Sequence, residues 1–170
     1  MQIFAFLIIV LFADFAMGDD IRMCLATKII AQGSEMIRSQ LARFVDFYIG
    51  VKACSEAGMA LRFPSSTWGS FYFVMGNPDT NTFQLMNNDG QVLVDSGVVL
   101  DCNEMKYFWM NKANGVLTVG RGLQSGTDTL ITYLNPLLDR LNWGHAYFEK
   151  YGAGVAEFEK QCGERMSIIL

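Results

Sequence analysis

Arg121 stands between two glycines in Val119-Gly120-Arg121-Gly122, directly after a β-branched run. Glycine on both sides permits close backbone approach. The guanidinium suits a carboxylate or the hydroxyls of a sugar. Pairing with Asp128 or Glu104 is the competing use. His145 is the sole histidine of the chain. That rules out multi-histidine metal sites and the His-Glu-x-x-His helix. No Gly-x-Ser-x-Gly accompanies it, so a serine hydrolase triad has no elbow to sit on. Glu157 and Glu159 share a face if their segment is a strand, where a solvated surface explains them without catalysis. The residues therefore offer no catalytic set and no metal site. Trp68, Trp109 and Trp143 are either core or stacking platforms for a sugar ring.

The glycine loops do not carry nucleotide chemistry. A methyl donor such as S-adenosylmethionine is usually held by a glycine-rich turn between a parallel strand and a helix. The segment Gly120–Gly126 leads instead into Thr127-Asp128-Thr129, and Tyr151-Gly152-Ala153-Gly154 lies too near the end for a βαβ unit. Both read as tight turns.

The elements around these residues read as strands. Period-two alternation recurs at Phe47–Ala53, Met59–Phe63, Phe71–Met75, Thr82–Met86, Gln91–Val94 and Met105–Met110. It continues at Val116–Val119, Thr129–Leu134, Trp143–Phe148 and Val155–Phe158. Asn88-Asp89-Gly90 and Asn114-Gly115 are hairpin signals, since both pairs tolerate the positive φ of a type I′ turn. Short strands with turns every ten or so residues predict an all-β fold, an antiparallel sandwich or barrel, of which a jelly-roll-like β-sandwich is favoured. Ile29, Ile30, Met36, Ile37 and Leu41 allow one short helix between Asp20 and Leu41.

The chain has 170 residues and a net charge of −4. It opens with the apolar run Ile3–Ala13, too short to span a bilayer and the right length for a secretory signal. Ala16-Met17-Gly18 places small residues at a cleavage site, so residues 1–18 read as a signal peptide and 19–170 as a single domain. Cys24, Cys54, Cys102 and Cys162 all follow that site. An even count in an oxidising compartment predicts two disulfides, with Cys54–Cys102 and Cys24–Cys162 favoured among three connectivities and buried free thiols the alternative. No further stretch reaches transmembrane length. An acidic domain without a Lys/Arg cluster argues against nucleic acid as a partner.

Several segments resemble the arthropod farnesoic acid O-methyltransferase domain family. They are Val51-Lys52-Ala53-Cys54-Ser55-Glu56-Ala57, Glu104-Met105-Lys106-Tyr107-Phe108-Trp109-Met110 and Gly115-Val116-Leu117-Thr118-Val119-Gly120. The likeness runs from about Phe47 to Phe158. Met75-Gly76-Asn77-Pro78 departs from the family's Ile-Gly-Gly-Trp, and Lys150-Tyr151-Gly152-Ala153 from its Gly-Trp-Gly-Ala. The family name implies methyl transfer from S-adenosylmethionine to farnesoic acid. Export with two disulfides fits a secreted binding module better, with no cofactor and with a carbohydrate or small apolar molecule as ligand. Gly76, Asn77, Arg121 and Tyr151 are then the expected contacts. Mass spectrometry of protein recovered from the medium of expressing cells should find Asp19 as the first residue.

Overall fold

A computed structural model describes residues 21–29, 33–37, 46–54, 57–62, 70–76, 82–97, 100–140, 145–150 and 154–162. The expected signal peptide, Asn77, Trp68, Trp143 and Tyr151 lie outside these residues. Twelve strands are described: β1 (Met23–Ile29), β2 (Gly33–Ile37), β3 (Asp46–Ala53), β4 (Ala57–Arg62), β5 (Ser70–Met75) and β6 (Thr82–Met86). The rest are β7 (Val92–Gly97), β8 (Lys106–Ala113), β9 (Val116–Arg121), β10 (Thr129–Leu134), β11 (His145–Lys150) and β12 (Ala156–Gln161). All pair antiparallel in two six-stranded sheets, ordered β1-β12-β3-β8-β9-β10 and β2-β11-β4-β5-β6-β7. The fold is an antiparallel β-sandwich, as the alternation predicts.

Alternation decides which side chains meet between the sheets. From β3, Phe47, Ile49, Val51 and Ala53 enter a single core with Phe108 and Met110 of β8, Leu117 and Val119 of β9 and Phe158 of β12. The second sheet sends in Phe73 and Met75, Phe83 and Leu85, and Phe148. Rings close the gap: Phe83 lies 5.9 Å from Phe108, Phe148 stacks on Phe158 at 4.7 Å, and Phe71 meets Tyr133 edge-on at 6.1 Å. Phe108 and Phe83 come from opposite sheets, so their contact fixes how one layer sits on the other.

Two turns differ in kind. At Asn114-Gly115 both residues have positive φ, 53° and 72°, which makes the two-residue type I′ turn expected there. At Asn88-Asp89-Gly90 only Gly90 is positive, at 76°. Asn87 O accepts from Gly90 N, and Asn87 Oδ1 accepts from Asp89 N and Gln91 N. This is a three-residue loop closed by an Asn side chain, not the type I′ turn that Asp-Gly suggests.

The short helix allowed between Asp20 and Leu41 is not formed where the chain is described; β1 and β2 occupy that stretch. The physical reason lies at the far end of the chain. β12 needs a partner on its outer side, and β1 supplies it, with Cys162 N donating to Arg22 O at 2.7 Å and Cys24 bonded to Cys162. Conversely, a 3-10 turn at Pro136–Arg140 was not expected from the sequence. Asn135 Oδ1 caps it by accepting from Leu137 N, and it buries Leu138. Cys54 and Cys102 form the second disulfide.

Trp109 belongs to the opposite face of its sheet from Phe108, yet is 1% exposed. The loop after β9 covers it: Trp109 Nε1 donates to Thr127 O at 2.8 Å, and Tyr48 Oη bonds Ser125 Oγ at 3.1 Å. Gly120 makes room beneath, because a Cβ there would stand 2.5 Å from the indole. Trp109 is thus core, not a sugar platform. Gly120→Ala should cost about 1–3 kcal/mol, since the tethered indole has nowhere to go. Gly97→Ala, with open space around its Cβ, is the near-neutral comparison. Urea denaturation midpoints at constant m separate the two outcomes.

Candidate functional site

Counting back from the Asn114-Gly115 turn pairs Arg121 with Phe108 and places the start of β8 beside the end of β9. The segment 100–105, which leads into β8, must then border Arg121. Its shape is fixed by local bonds. Asp101 O accepts from Ala53 N at 3.1 Å, while Asp101 Oδ1 accepts from Asn103 N at 2.7 Å and Glu104 N at 3.3 Å. The Cys54–Cys102 bond ties the same segment to the end of β3. A cleft of about 500 Å³ opens here, lined by Asp101, Glu104, Met105, Lys106, Tyr107, Phe108, Arg121 and Gly122.

Each side chain has an evident positioning cause. Lys106 Nζ contacts Glu104 Oε2 at 2.6 Å. Tyr107 lies over Gly50, where a Cβ would stand 3.0 Å from its ring, and donates its hydroxyl to Glu159 Oε2 at 3.1 Å. Burial, then the bond to that carboxylate, raises the Tyr107 pKa, so the phenol stays a donor near neutrality. Arg121 ends β9. Its backbone N–H donates to Asp128 O and its Nη2 to Gly97 O at 2.7 Å, which stretches the guanidinium toward the second sheet. Asp128 Oδ2 is 4.0 Å from Arg121 Nε, so the pairing expected with Asp128 exists but is long; Glu104 pairs with Lys106 instead. The Arg121 side chain is 48% exposed.

The expected contacts thus separate. Arg121 lines the cleft. Gly76 does not: its backbone N–H donates to Thr82 O, φ is 65°, and a Cβ would stand 2.8 Å from Leu100. It supports the residue next to Asp101 from behind. Asp101, Glu104, Lys106 and Tyr107 were not singled out as contacts from the sequence. The Asn-Gly turn signals only that Phe108 faces Arg121; Asp101 and Glu104 arrive through the bonds of the segment 100–105 to the end of β3. Among the described residues, no group of three or more His, Cys, Asp or Glu could hold a metal ion. Gly120-Arg121-Gly122 leads through a turn into β10, antiparallel to β9, not into a helix.

Beside the cleft, the outer face of the same sheet carries a charged triad. Glu157 receives Lys28 at 2.8 Å and Lys52 at 2.7 Å. The two ammonium hydrogen bonds pull its pKa from 4.5 to about 2. The folded value lies below the unfolded one, so the stabilisation is complete above about pH 4.5 and lost as pH falls toward 2. Glu157→Gln should therefore flatten the acid limb of stability in that window and leave the pH 7–9 slope unchanged, as read by thermal melts across pH.

No protein-family model and no curated protein matches the chain. Solved structures match in fold. A carbohydrate-binding module, CBM66, from Bacillus subtilis superposes with a TM-score of 0.53 at 9% identity, over 84% of this chain and 98% of that one. A fructosyltransferase from A. japonicus gives a TM-score of 0.53 at 12% identity, covering 87% of this chain but 27% of the enzyme. At such identities the likeness establishes the β-sandwich class.

Proposed function

We propose that this protein is a secreted recognition module and that the cleft around Arg121 binds a carbohydrate. One observation carries the reading: Arg121, whose side chain is half exposed, lines one cleft together with Lys106, Asp101, Glu104 and Tyr107. Sugar hydroxyls are both donors and acceptors, and they need charged partners of both signs for charge-assisted bonds. Apolar side chains beside such groups, here Met105 and Phe108 among the lining residues, suit the apolar face of a pyranose or furanose. The four charged groups sum to zero, which favours a neutral sugar over a lone anion. The B. subtilis relative in fold, described as a carbohydrate-binding module, supports the same reading.

Export fits the two disulfides, which persist in oxidising compartments. Among the described residues no helix is long and apolar enough to cross a membrane. The resemblance to the farnesoic acid O-methyltransferase domain family enters the proposal as a divergent member turned to binding.

Glycan-array screening of the secreted protein should return a saccharide whose affinity falls about 10- to 100-fold in Arg121→Ala, the scale of a hydrogen bond to a charged group. Thermal melts of that variant should stay close to those of the parent chain, because the side chain is half exposed. Binding to no glycan, or binding indifferent to Arg121, overturns the reading. A saturable calorimetric isotherm with S-adenosylmethionine would move it toward methyl transfer.

A further inference from the structure

We propose that a second copy of this chain docks on the edge of β10 that no described strand pairs, joining two copies of the β1-β12-β3-β8-β9-β10 sheet about a two-fold axis at Thr132. An open strand edge invites pairing, and proteins normally blunt it with charge, proline or irregular backbone. Among the described residues four strands are edges: β1, β2, β7 and β10. β1 carries Lys28 and a register break between Leu25 and Thr27. β2 has five residues and carries Glu35, and β7 carries Asp95. β10 reads Thr-Leu-Ile-Thr-Tyr-Leu, with no charge, no proline and no glycine. Its single irregularity lies between Thr129 and Ile131 and leaves 131–134 regular. Thr132 is exposed, and Leu134, at 70%, is the most exposed large apolar side chain among the described residues.

The hydrogen-bond phase aims the right groups outward. A two-residue turn at Asn114-Gly115 makes Ala113 and Val116 a bonded pair, so Val116 turns its backbone groups toward β8. Leu117 and Val119 then face β10, where they pair with Tyr133 and Ile131. Asn135 N donates to Gly115 O at 2.8 Å in the same phase. Thr132 and Leu134 therefore present N–H and C=O to the open side. Antiparallel pairing of two β10 strands through Thr132 sets Thr132 against Thr132 of the partner subunit. It also sets Ile131 against Tyr133 of the partner subunit. Facing residues then point to matching sides, as the pleat requires. The chain is acidic, so a second copy is repelled least where the edge carries no charge. This edge is self-complementary, which is what a two-fold contact demands. So short a regular edge buries less than a standard interface, so the dimer is weak and concentration-dependent.

Sedimentation velocity of the secreted full chain should show mostly monomer near about 1 µM and mostly dimer near about 500 µM. Thr132→Lys, which brings two ammoniums together at the axis, should weaken association at least about tenfold. Leu25→Lys, on the far edge, should leave it unchanged. Near-UV circular dichroism checks that both variants keep the fold. Bonded antiparallel pairs stand about 5.5 Å apart at Cα, within reach of a disulfide, so Thr132→Cys should cross-link into a dimer on mild oxidation. A monomer at all concentrations, self-association indifferent to Thr132→Lys, or a Thr132→Cys protein that stays uncross-linked each overturns the proposal. Pairing with a foreign strand alone would appear as the first of these.

Discussion

The register between β8 and β9 is the constraint on which the remaining structure leans. Asn114 and Gly115 both adopt positive φ, and a two-residue turn leaves the strands one way to pair. A slip by one residue would send Phe108 and Met110 to solvent and force Trp109 into the core seam. With the register set, Phe108 reaches Phe83 across the sandwich, Trp109 passes under the loop after β9, and Arg121 stands opposite Phe108 at the mouth of the cleft. The core, the covered indole and the candidate binding site follow from one turn.

The sandwich itself is closed by pairings far apart in sequence. β12 inserts between β1 and β3, and β11 between β2 and β4, so the last strands complete both sheets. The Cys24–Cys162 bond spans 138 residues and locks that closure. In the chain-entropy view, a cross-link over so long a loop removes about 4–5 kcal/mol of denatured-state freedom. The Cys54–Cys102 bond does a more local job. It holds the segment 100–105, whose Asp101 and Glu104 line the cleft, against the end of β3. One disulfide secures the fold and the other the shape of the site.

The cleft combines rigid walls with accessible polar groups. Tyr107 is fixed by Glu159, Asp101 by two backbone N–H groups, and Gly122 N donates to Tyr107 O at 2.8 Å. Such preorganisation lowers the ordering cost of any ligand bound there. The long Arg121–Asp128 contact leaves the guanidinium lightly neutralised, and its carbonyl partner on β7 aims it without cancelling its charge.

Local pattern alone determined the strands from β3 to β12, the Asn114-Gly115 hairpin and the turn, rather than a helix, after Gly120-Arg121-Gly122. These depend on period-two alternation and on backbone preferences of single residues, which act over a few positions. It misjudged Asp20–Leu41 and the Asn88-Asp89-Gly90 turn. In the first, the edge of β12 outweighed a helical stripe; in the second, the Asn87 side chain chose the turn. Arg121 was legible as a residue of interest, but its neighbours Asp101, Lys106 and Tyr107 became a site only when sheet pairing set them side by side. The burial of Trp109, the separation of Gly76 from the cleft and the open edge at β10 were decided by tertiary structure. Each depends on which non-local strand or loop arrives beside a residue, and no local preference encodes that arrival.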